Sequence, residues 1–253
     1  MFALERQKKI LELLASDGAV WVSKLASELC VTEETIRRDL EKLEKQEVLL
    51  RTHGGAVPID ESTNDLSLEK RKNTNSAEKE KLAEAASKFI VPGDTVFLDA
   101  STTTFYLSKH IKKMSGVTVI TNSIRVIDEL TGADGIKLIA VGGMVNQNQS
   151  FTGGIAEKTI EENYFASKMF FSCKGITESS GVLDSNEQEC SIKRCMLKNS
   201  GVKYCICDKS KIGRVGFVKI AAIDEINGFI TDGEISGKLK DKFDEYKVDI
   251  ITV

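Results

Sequence analysis

The chain has 253 residues, enough for one or two domains, with 41% hydrophobic and 29% charged residues, the balance of an ordinary globular protein. Its formal net charge of −3 excludes a global basic field, so any contact with nucleic acid has to come from a local cluster of cations. The N-terminus is charged from Glu5 onward, and no apolar run approaches the roughly 18 residues of a membrane span, so the reading expects a cytoplasmic protein with neither secretory leader nor membrane contact. The six cysteines lack the spacing of a disulfide framework and fit free thiols. Cys190, Cys195, Cys205 and Cys207 fall in C-x4-C and C-x-C pairs rather than C-x2-C pairs, and read as small half-buried hydrophobes. No metal and no cofactor are expected.

In chain order, Leu4, Ile10, Leu11, Leu13 and Leu14 recur with helical spacing, and Asp17-Gly18 ends that helix. Ala19–Val22 reads as extended. Ser23 is the expected N-cap of a second helix over Lys24–Leu29, and Cys30-Val31 makes a turn. Thr32 caps a third helix running to about Lys45, with Glu33 and Glu34 placed favourably in its first turn. Val48–Val57, broken at Gly54-Gly55, reads as a hairpin.

On the third helix Ile36, Leu40 and Leu43 form an apolar stripe, while Thr35, Arg38, Lys42 and Lys45 form a polar and basic one. Arg38 lies about 200° round the helix from Ile36, so the two stripes face apart. Residues 1–57 hold nine Lys or Arg against ten Asp or Glu, so the case for DNA rests on the position of Arg37, Arg38, Lys42, Lys45 and Arg51. Arg51, His53 and Gly54 would form a wing on the DNA backbone or minor groove. The plainer alternative is a solvated surface helix with a Glu34–Arg38 ion pair.

Residues 58–75 turn polar and charged and read as a linker containing a short helical stretch. From residue 76 helices and strands alternate: helix Ala77–Phe89, strand Thr95–Leu98, a helix after Thr103, strand Val117–Ile120, helix Ile124–Leu130 and strand Ile136–Val141. A helix near Ala156–Glu162, strand Lys168–Ser172, helix Gln188–Asn199 and strands Lys203–Ile206, Phe229–Thr231 and Val248–Thr252 follow. That rhythm predicts a parallel sheet covered on both faces. Polar groups gather just after the strands. Asp99-Ala100-Ser101-Thr102-Thr103-Thr104 opens a helix and could bind an anion at its N-terminus, or could simply cap it. Thr121-Asn122-Ser123, Gly142-Gly143 and Asp208-Lys209-Ser210-Lys211 stand at three further strand ends, where open α/β sheets bind ligands. Lys174, beside Gly175, is either a ligand contact or a surface lysine.

The strings Val31–Leu40, containing Thr35-Ile36-Arg37-Arg38-Asp39-Leu40, and Leu50-Arg51-Thr52-His53-Gly54-Gly55-Ala56 resemble the DeoR family of bacterial transcription regulators, in the right order along the whole chain. Glu47 and Ser101 stand where that family usually has glycine. The resemblance implies a winged helix-turn-helix over residues 1–57, a linker over 58–75, and over 76–253 a Rossmann-like α/β sensor domain similar to the ribose-5-phosphate isomerase fold. It implies DNA contacts by Thr32, Glu34, Thr35, Arg37, Arg38, Lys42, Lys45, Arg51, His53 and Gly54. It also implies a phosphorylated sugar effector. Ser101, Thr102 and Thr103 would hold the phosphate and Asp99 the sugar hydroxyls. Lys211 would reach the phosphate or the anomeric end, with Glu189 and Lys193 lining the same site. Thr121, Asn122, Gly142, Gly143, Lys174 and Asp208 complete the candidate site.

The expectation is a repressor of a sugar or carbohydrate operon, relieved by its effector. It would bind a double-stranded operator as a homodimer or higher even homo-oligomer. Two rival readings are an isomerase-like enzyme using Glu189 as base and Lys211 as electrophile, with an accessory DNA-binding domain, and an architectural DNA-binding protein with no ligand.

Overall fold

The computed structural model describes residues 3–17, 19–45, 49–52, 54–58, 74–216 and 218–253. Two compact units divide the chain between Glu69 and Lys70. His53 and the expected helical stretch before Asn75 lie outside the described residues, as does the side chain of Lys45.

The first unit comprises α1 (Ala3–Asp17), β1 (Val20–Trp21), α2 (Val22–Glu28), α3 (Glu33–Lys45), β2 (Leu49–Thr52) and β3 (Gly55–Pro58). Its core joins Ile10 and Leu14 of α1 to Leu25 of α2 and to Ile36, Leu40 and Leu43, the apolar stripe of α3. The expected cap at Ser23 is incorrect. The helix begins two residues earlier, at Val22, and Trp21 in extended conformation precedes it without a side-chain cap. The start of α2 is set instead by the sheet, because the Val22 amide donates to the Gly54 carbonyl at 2.8 Å.

The turn between α2 and α3 is a Schellman closure. The Val31 amide donates to Ala26 O at 3.0 Å, the Cys30 amide donates to Ser27 O at 3.4 Å, and Cys30 takes φ 51°. Thr32 then caps α3, its hydroxyl accepting from the Thr35 amide at 3.2 Å. β2 and β3 pair antiparallel, and β1 adds to the far side of β3 in the order β1-β3-β2. Gly55 sits where a Cβ would lie 1.9 Å from Val20 O. This glycine therefore serves the close approach of β1. Pro58, assigned above to the linker, closes β3.

The second unit begins with α4 (Ser76–Ser87), β4 (Thr95–Leu98), α5 (Thr102–Ile111), β5 (Val117–Thr121), α6 (Ile124–Leu130) and β6 (Ile136–Ala140). The hairpin β7 (Met144–Val145) and β8 (Phe151–Thr152) leads to α7 (Gly154–Asn163), β9 (Ala166–Phe171), β10 (Gly175–Thr177) and β11 (Gly181–Asp184). Then come α8 (Glu187–Lys198), β12 (Ser200–Ile206), β13 (Val218–Ala221), β14 (Gly228–Thr231), α9 (Gly237–Tyr246) and β15 (Asp249–Thr252).

Seven strands form one parallel sheet in the order β15-β14-β12-β9-β4-β5-β6. Alternate residues feed two cores. Val96, Leu98, Phe170 and Ile206 pack under α4, α5 and α6, while Phe97, Met169, Phe171 and Phe229 pack under α7, α8 and α9. This is the covered parallel sheet predicted from the alternation. The small antiparallel sheet β10-β11-β13, the β7–β8 hairpin and α9 are additions to that prediction.

The chain runs outward from β4 through β5 to β6, then returns to β9 on the other side of β4 and runs outward again. The direction of winding therefore reverses between β4 and β9, and an open α/β sheet leaves a crevice at the strand ends of such a reversal.

Candidate DNA interface and effector site

On α3 the two stripes are as read. Ile36, Leu40 and Leu43 are buried, and Arg37, Arg38 and Lys42 are exposed. The arginines are engaged: Arg37 pairs with Glu33 at 2.6 Å and Arg38 with Glu34 at 3.3 Å, both across one helical turn. The surface ion pair expected as the plain alternative is therefore present, and exposed pairs of this kind hold a side chain by well under about 1 kcal/mol. Both arginines stay available to a phosphate or a guanine edge. Arg51 is also tied, its amide donating to Glu44 Oε1 at 3.0 Å and its guanidinium 3.9 Å from Glu44 Oε2. Thr35 stays bonded to Thr32, hydroxyl to hydroxyl, at 2.9 Å.

Two features of this unit escaped the sequence reading. Asp39, in the middle of α3, is buried, receiving Arg6 Nε at 2.5 Å and Gln7 Nε2 at 3.0 Å from α1. It fixes the angle at which α3 is presented. The charge signal was legible, but its partners lie more than thirty residues away. Trp21 is 58% exposed beside Gly54, an aromatic at the wing that helical and strand periodicity do not mark.

In the second unit the switch point is occupied by Asp99 and Ser172, which follow β4 and β9. Asp99 is 1% exposed. One carboxylate oxygen accepts the Thr104 hydroxyl at 2.8 Å and the Ser101 amide at 3.2 Å. The other accepts the Ser172 amide at 3.2 Å and lies 3.2 Å from Lys193 Nζ. Lys193 reaches in from α8, donating also to Asp184 at 2.5 Å and to Ser172 O at 2.9 Å. Burial alone would lower the Lys193 pKa, but Asp184 and Asp99 outweigh it and hold the ammonium well above its ordinary value. Burial likewise opposes ionisation of Asp184, and the Lys193 charge overcomes it to hold the carboxyl below the usual range.

Ser101 is the N-cap of α5, its hydroxyl accepting from the Thr104 amide at 3.2 Å. Thr102 and Thr103 follow in the first turn, both buried, with Thr103 3.5 Å from the Ser172 hydroxyl.

A second cluster forms round Glu189, one turn before Lys193 on α8. Its Oε1 accepts from Asn146 Nδ2 at 3.1 Å, Asn148 Nδ2 at 2.9 Å and the Ser150 hydroxyl at 3.3 Å. The same loop holds the end of β5: Asn122 Nδ2 donates to Phe151 O at 2.9 Å and the Ile124 amide to Gln149 O at 2.9 Å. Thr121 is spent internally, its hydroxyl donating to Leu98 O at 2.8 Å. Asn122 Oδ1 is buried, and among the described residues nothing donates to it. Gly143 packs where a Cβ would lie 2.6 Å from Thr152 O, so it serves the β7–β8 hairpin, while Gly142 is exposed.

Asp208 follows β12, its carboxylate capping the short helix Lys209–Lys211 and accepting from Asn75 Nδ2 at 3.3 Å. Among the described residues no hydrogen bond or ion pair joins Asp208 or Lys211 to Asp99. They share its end of the sheet, two strands away. Lys174 is half-buried where the chain leaves β9, and its charge helps keep Asp184 ionised. Asp184, Ser172, Asn146 and Asn148 were missed in sequence. The polar run after Gly142-Gly143 could have revealed the asparagines, whereas Asp184 has meaning only once Lys193 is seen to reach it.

The cysteines arrange differently from their sequence grouping. Cys190 and Cys195 stand apart on α8, and Cys173 joins Cys205 and Cys207 with all three sulfurs within 4.8 Å of one another. Thiol hydrogens of Cys205 and Cys207 directed at Cys173 draw its sulfur toward the thiolate, whereas burial pushes Cys205 up.

A helix-turn-helix with a β-wing and an α/β unit with polar groups at its switch point together define a two-part DNA-binding regulator. The similarities agree: residues 6–62 match the DeoR-like helix-turn-helix domain and residues 74–233 the DeoR C terminal sensor domain. The chain is 38% identical over its whole length to the uncharacterized HTH-type transcriptional regulator YulB of Bacillus subtilis, covering 98% of it. It is 34% identical to the HTH-type transcriptional repressor GlcR of the same organism, over 92% of this chain and 89% of that one. It is 32% identical to the L-fucose operon activator of Haemophilus influenzae, over 98% of each. The chain belongs to the DeoR family of transcriptional regulators; it is a DNA-binding regulator and not an enzyme. Ribose 5-phosphate isomerase A of Methanocaldococcus jannaschii is similar over 55% of each chain at a TM-score of 0.42 and 14% identity, too slight a likeness to carry an argument. No described helix is long and apolar enough to cross a membrane.

Proposed function

We propose that this regulator is a repressor of a sugar or carbohydrate catabolism operon, released from DNA by a phosphorylated sugar bound at the strand ends of the second unit. The observation that carries the reading is the placement of Asp99 and Ser172 at the point where the sheet reverses its winding, beside the first turn of α5. The amides and hydroxyls of Thr102 and Thr103 there suit a phosphate, while Ser101, expected to share it, is engaged as the cap and on Asp99. Asn122 Oδ1, buried and without a donor among the described residues, suits a sugar hydroxyl at the next strand end. Lys211 and Lys174 supply positive charge at the same sheet end. The name of the L-fucose operon activator supports a sugar-linked role, and that of GlcR supports repression.

Arg38 and Lys42 carry the reading of DNA, Arg38 on a base edge and Lys42 on the phosphate backbone. The chain works as a homodimer or higher even oligomer on paired half-sites, assembled mainly through the second unit. Coupling follows from linkage: an effector that prefers the DNA-free arrangement lowers DNA affinity by that preference, commonly about 1–3 kcal/mol.

The test is a thermal-shift screen of sugar phosphates, followed by anisotropy of the full-length protein on the DNA upstream of its own gene. One phosphorylated sugar should raise the melting temperature and weaken DNA binding. Thr102→Val with Thr103→Val should abolish both effects while leaving DNA binding intact. If every effector leaves DNA binding unchanged, the reading fails, and tightening in place of weakening overturns the repressor assignment. A monomer by light scattering with DNA present refutes the oligomer.

A further inference from the structure

The cluster of Cys173, Cys205 and Cys207 is independent of the effector site in its chemistry. β9 and β12 pair so that Cys205 lies opposite Phe171. Residues two apart on a strand share a face, which places Cys207 and Cys173 together one step beyond that pair. All three thus project into the same core, at 7%, 0% and 1% exposure for Cys173, Cys205 and Cys207. Cys205 Sγ and Cys173 Sγ are 3.9 Å apart, and the three sulfurs lie within 4.8 Å of one another.

That spacing can accommodate a single ion. A thiolate bond to a first-row ion is about 2.3 Å. Three such bonds spread in a plane set their sulfurs about 4 Å apart. Among the described residues no histidine or carboxylate joins the cluster, so a tetrahedral ion would lack a fourth protein ligand. Soft thiolates with three-fold geometry favour monovalent copper over zinc. Cys173, the least enclosed of the three, marks the side of entry.

We propose that Cys173, Cys205 and Cys207 form a three-coordinate site for a soft metal ion, of which Cu(I) is the fitting member. Each thiol gives up its proton to solvent as it ligates, and no change of oxidation state is involved.

The experiment uses the reduced full-length protein under anaerobic conditions, titrated against the Cu(I)–bicinchoninate complex. The protein should withdraw one equivalent of Cu(I). X-ray absorption at the copper edge should then count three sulfur neighbours. Cys173→Ser, Cys205→Ser and Cys207→Ser should each weaken binding by about 100-fold or more. Cys30→Ser and Cys190→Ser should leave it unchanged. Each variant is melted alongside, and one that no longer melts cooperatively is replaced by the alanine variant at the same position. A wild type that leaves the chelate intact overturns the proposal. So does a triple serine variant that withdraws as much copper, a sulfur count of two, or displacement of the copper by an equal concentration of Zn(II).

Discussion

Lys193 is the side chain on which the switch point depends. It stands between two buried carboxylates, Asp99 at 3.2 Å and Asp184 at 2.5 Å. Lys193→Met keeps the bulk of the stem but leaves the two acids facing each other. Removing one partner of a buried ion cluster costs about 3–5 kcal/mol at neutral pH. The sign with pH can be worked out from the shifts. In the native protein Lys193 is raised, so its contribution is complete below its ordinary value and lost only as pH climbs through the raised one. Asp184 is lowered, so its contribution is complete above the ordinary carboxylate range and lost as pH falls through the depressed value. Wild-type stability from this cluster is therefore flat across neutral pH. In Lys193→Met burial is left to raise the Asp184 carboxyl without the Lys193 charge to oppose it, so the variant regains stability as pH falls from 7 toward 5. Urea unfolding at the two pH values checks this, and a variant penalty equal at both would refute it.

Asp39 gives the parallel case in the first unit. Asp39→Ala removes the shared acceptor of Arg6 and Gln7 at the helix junction and should cost about 1.5–3 kcal/mol. DNA binding is expected to fail although Asp39 touches no groove. Trp21, the one tryptophan of the chain, reports the loss as an earlier fluorescence transition in urea.

Among the elements, those with strong periodicity were legible and those defined by closure were not. The stripe Ile36, Leu40, Leu43 located α3, and the alternation of apolar runs with helices located all seven strands of the main sheet. The strands β10 and β11 follow β9 with no α-helix between, and β13 follows β12 likewise, so the alternation that marks the main sheet does not reach them. α9 shows only Leu239 and Phe243 as buried apolar positions, one turn apart, too narrow a stripe to announce itself. Capping was partly legible: Thr32 was found, whereas the start of α2 was missed because a carbonyl across the wing sets it.

Two substitutions test these elements. Cys30 holds φ 51°, a conformation that costs a side chain about 1 kcal/mol or more, so Cys30→Gly should raise the stability of the first unit by about 1 kcal/mol. Gly55→Ala drives a methyl into the Val20 carbonyl and should cost at least the roughly 1–3 kcal/mol of an overpacked site, with loss of β1 pairing. Chemical denaturation followed at Trp21 reads both. Equal and opposite outcomes would show that the turn and wing geometries are not as described.

For the whole molecule, the sequence carried the site as a list of strand ends but not as a connected object. Asp99, Ser101, Glu189 and Lys193 were all named from it. That Asp99 and Lys193 bind each other, and that Glu189 anchors Asn146 and Asn148, depends on chain reversals that bring residues 41 to 94 positions apart into contact. In the first unit the cations were legible but their engagement was not. The coupling proposed between effector and DNA is testable as reciprocity: the fold by which a sugar phosphate weakens DNA binding must equal the fold by which DNA weakens binding of that sugar phosphate. Calorimetry of the protein with and without its DNA measures the second quantity, and unequal factors would exclude a simple linkage.

The ion pairs Glu33–Arg37 and Glu34–Arg38 bear on how such a protein finds its target. On the DNA contacts proposed above, each glutamate holds the place that a phosphate would take, so random DNA must displace a resident competitor before it gains an arginine. A true operator offers base edges as well and meets that demand more easily. The acids thus act as a tariff on idle encounters, shortening each pause on irrelevant sequence during a search of the chromosome. Glu33→Gln with Glu34→Gln should tighten binding to random DNA several-fold more than to the operator, and lengthen the lifetime of single molecules on nonspecific tracts.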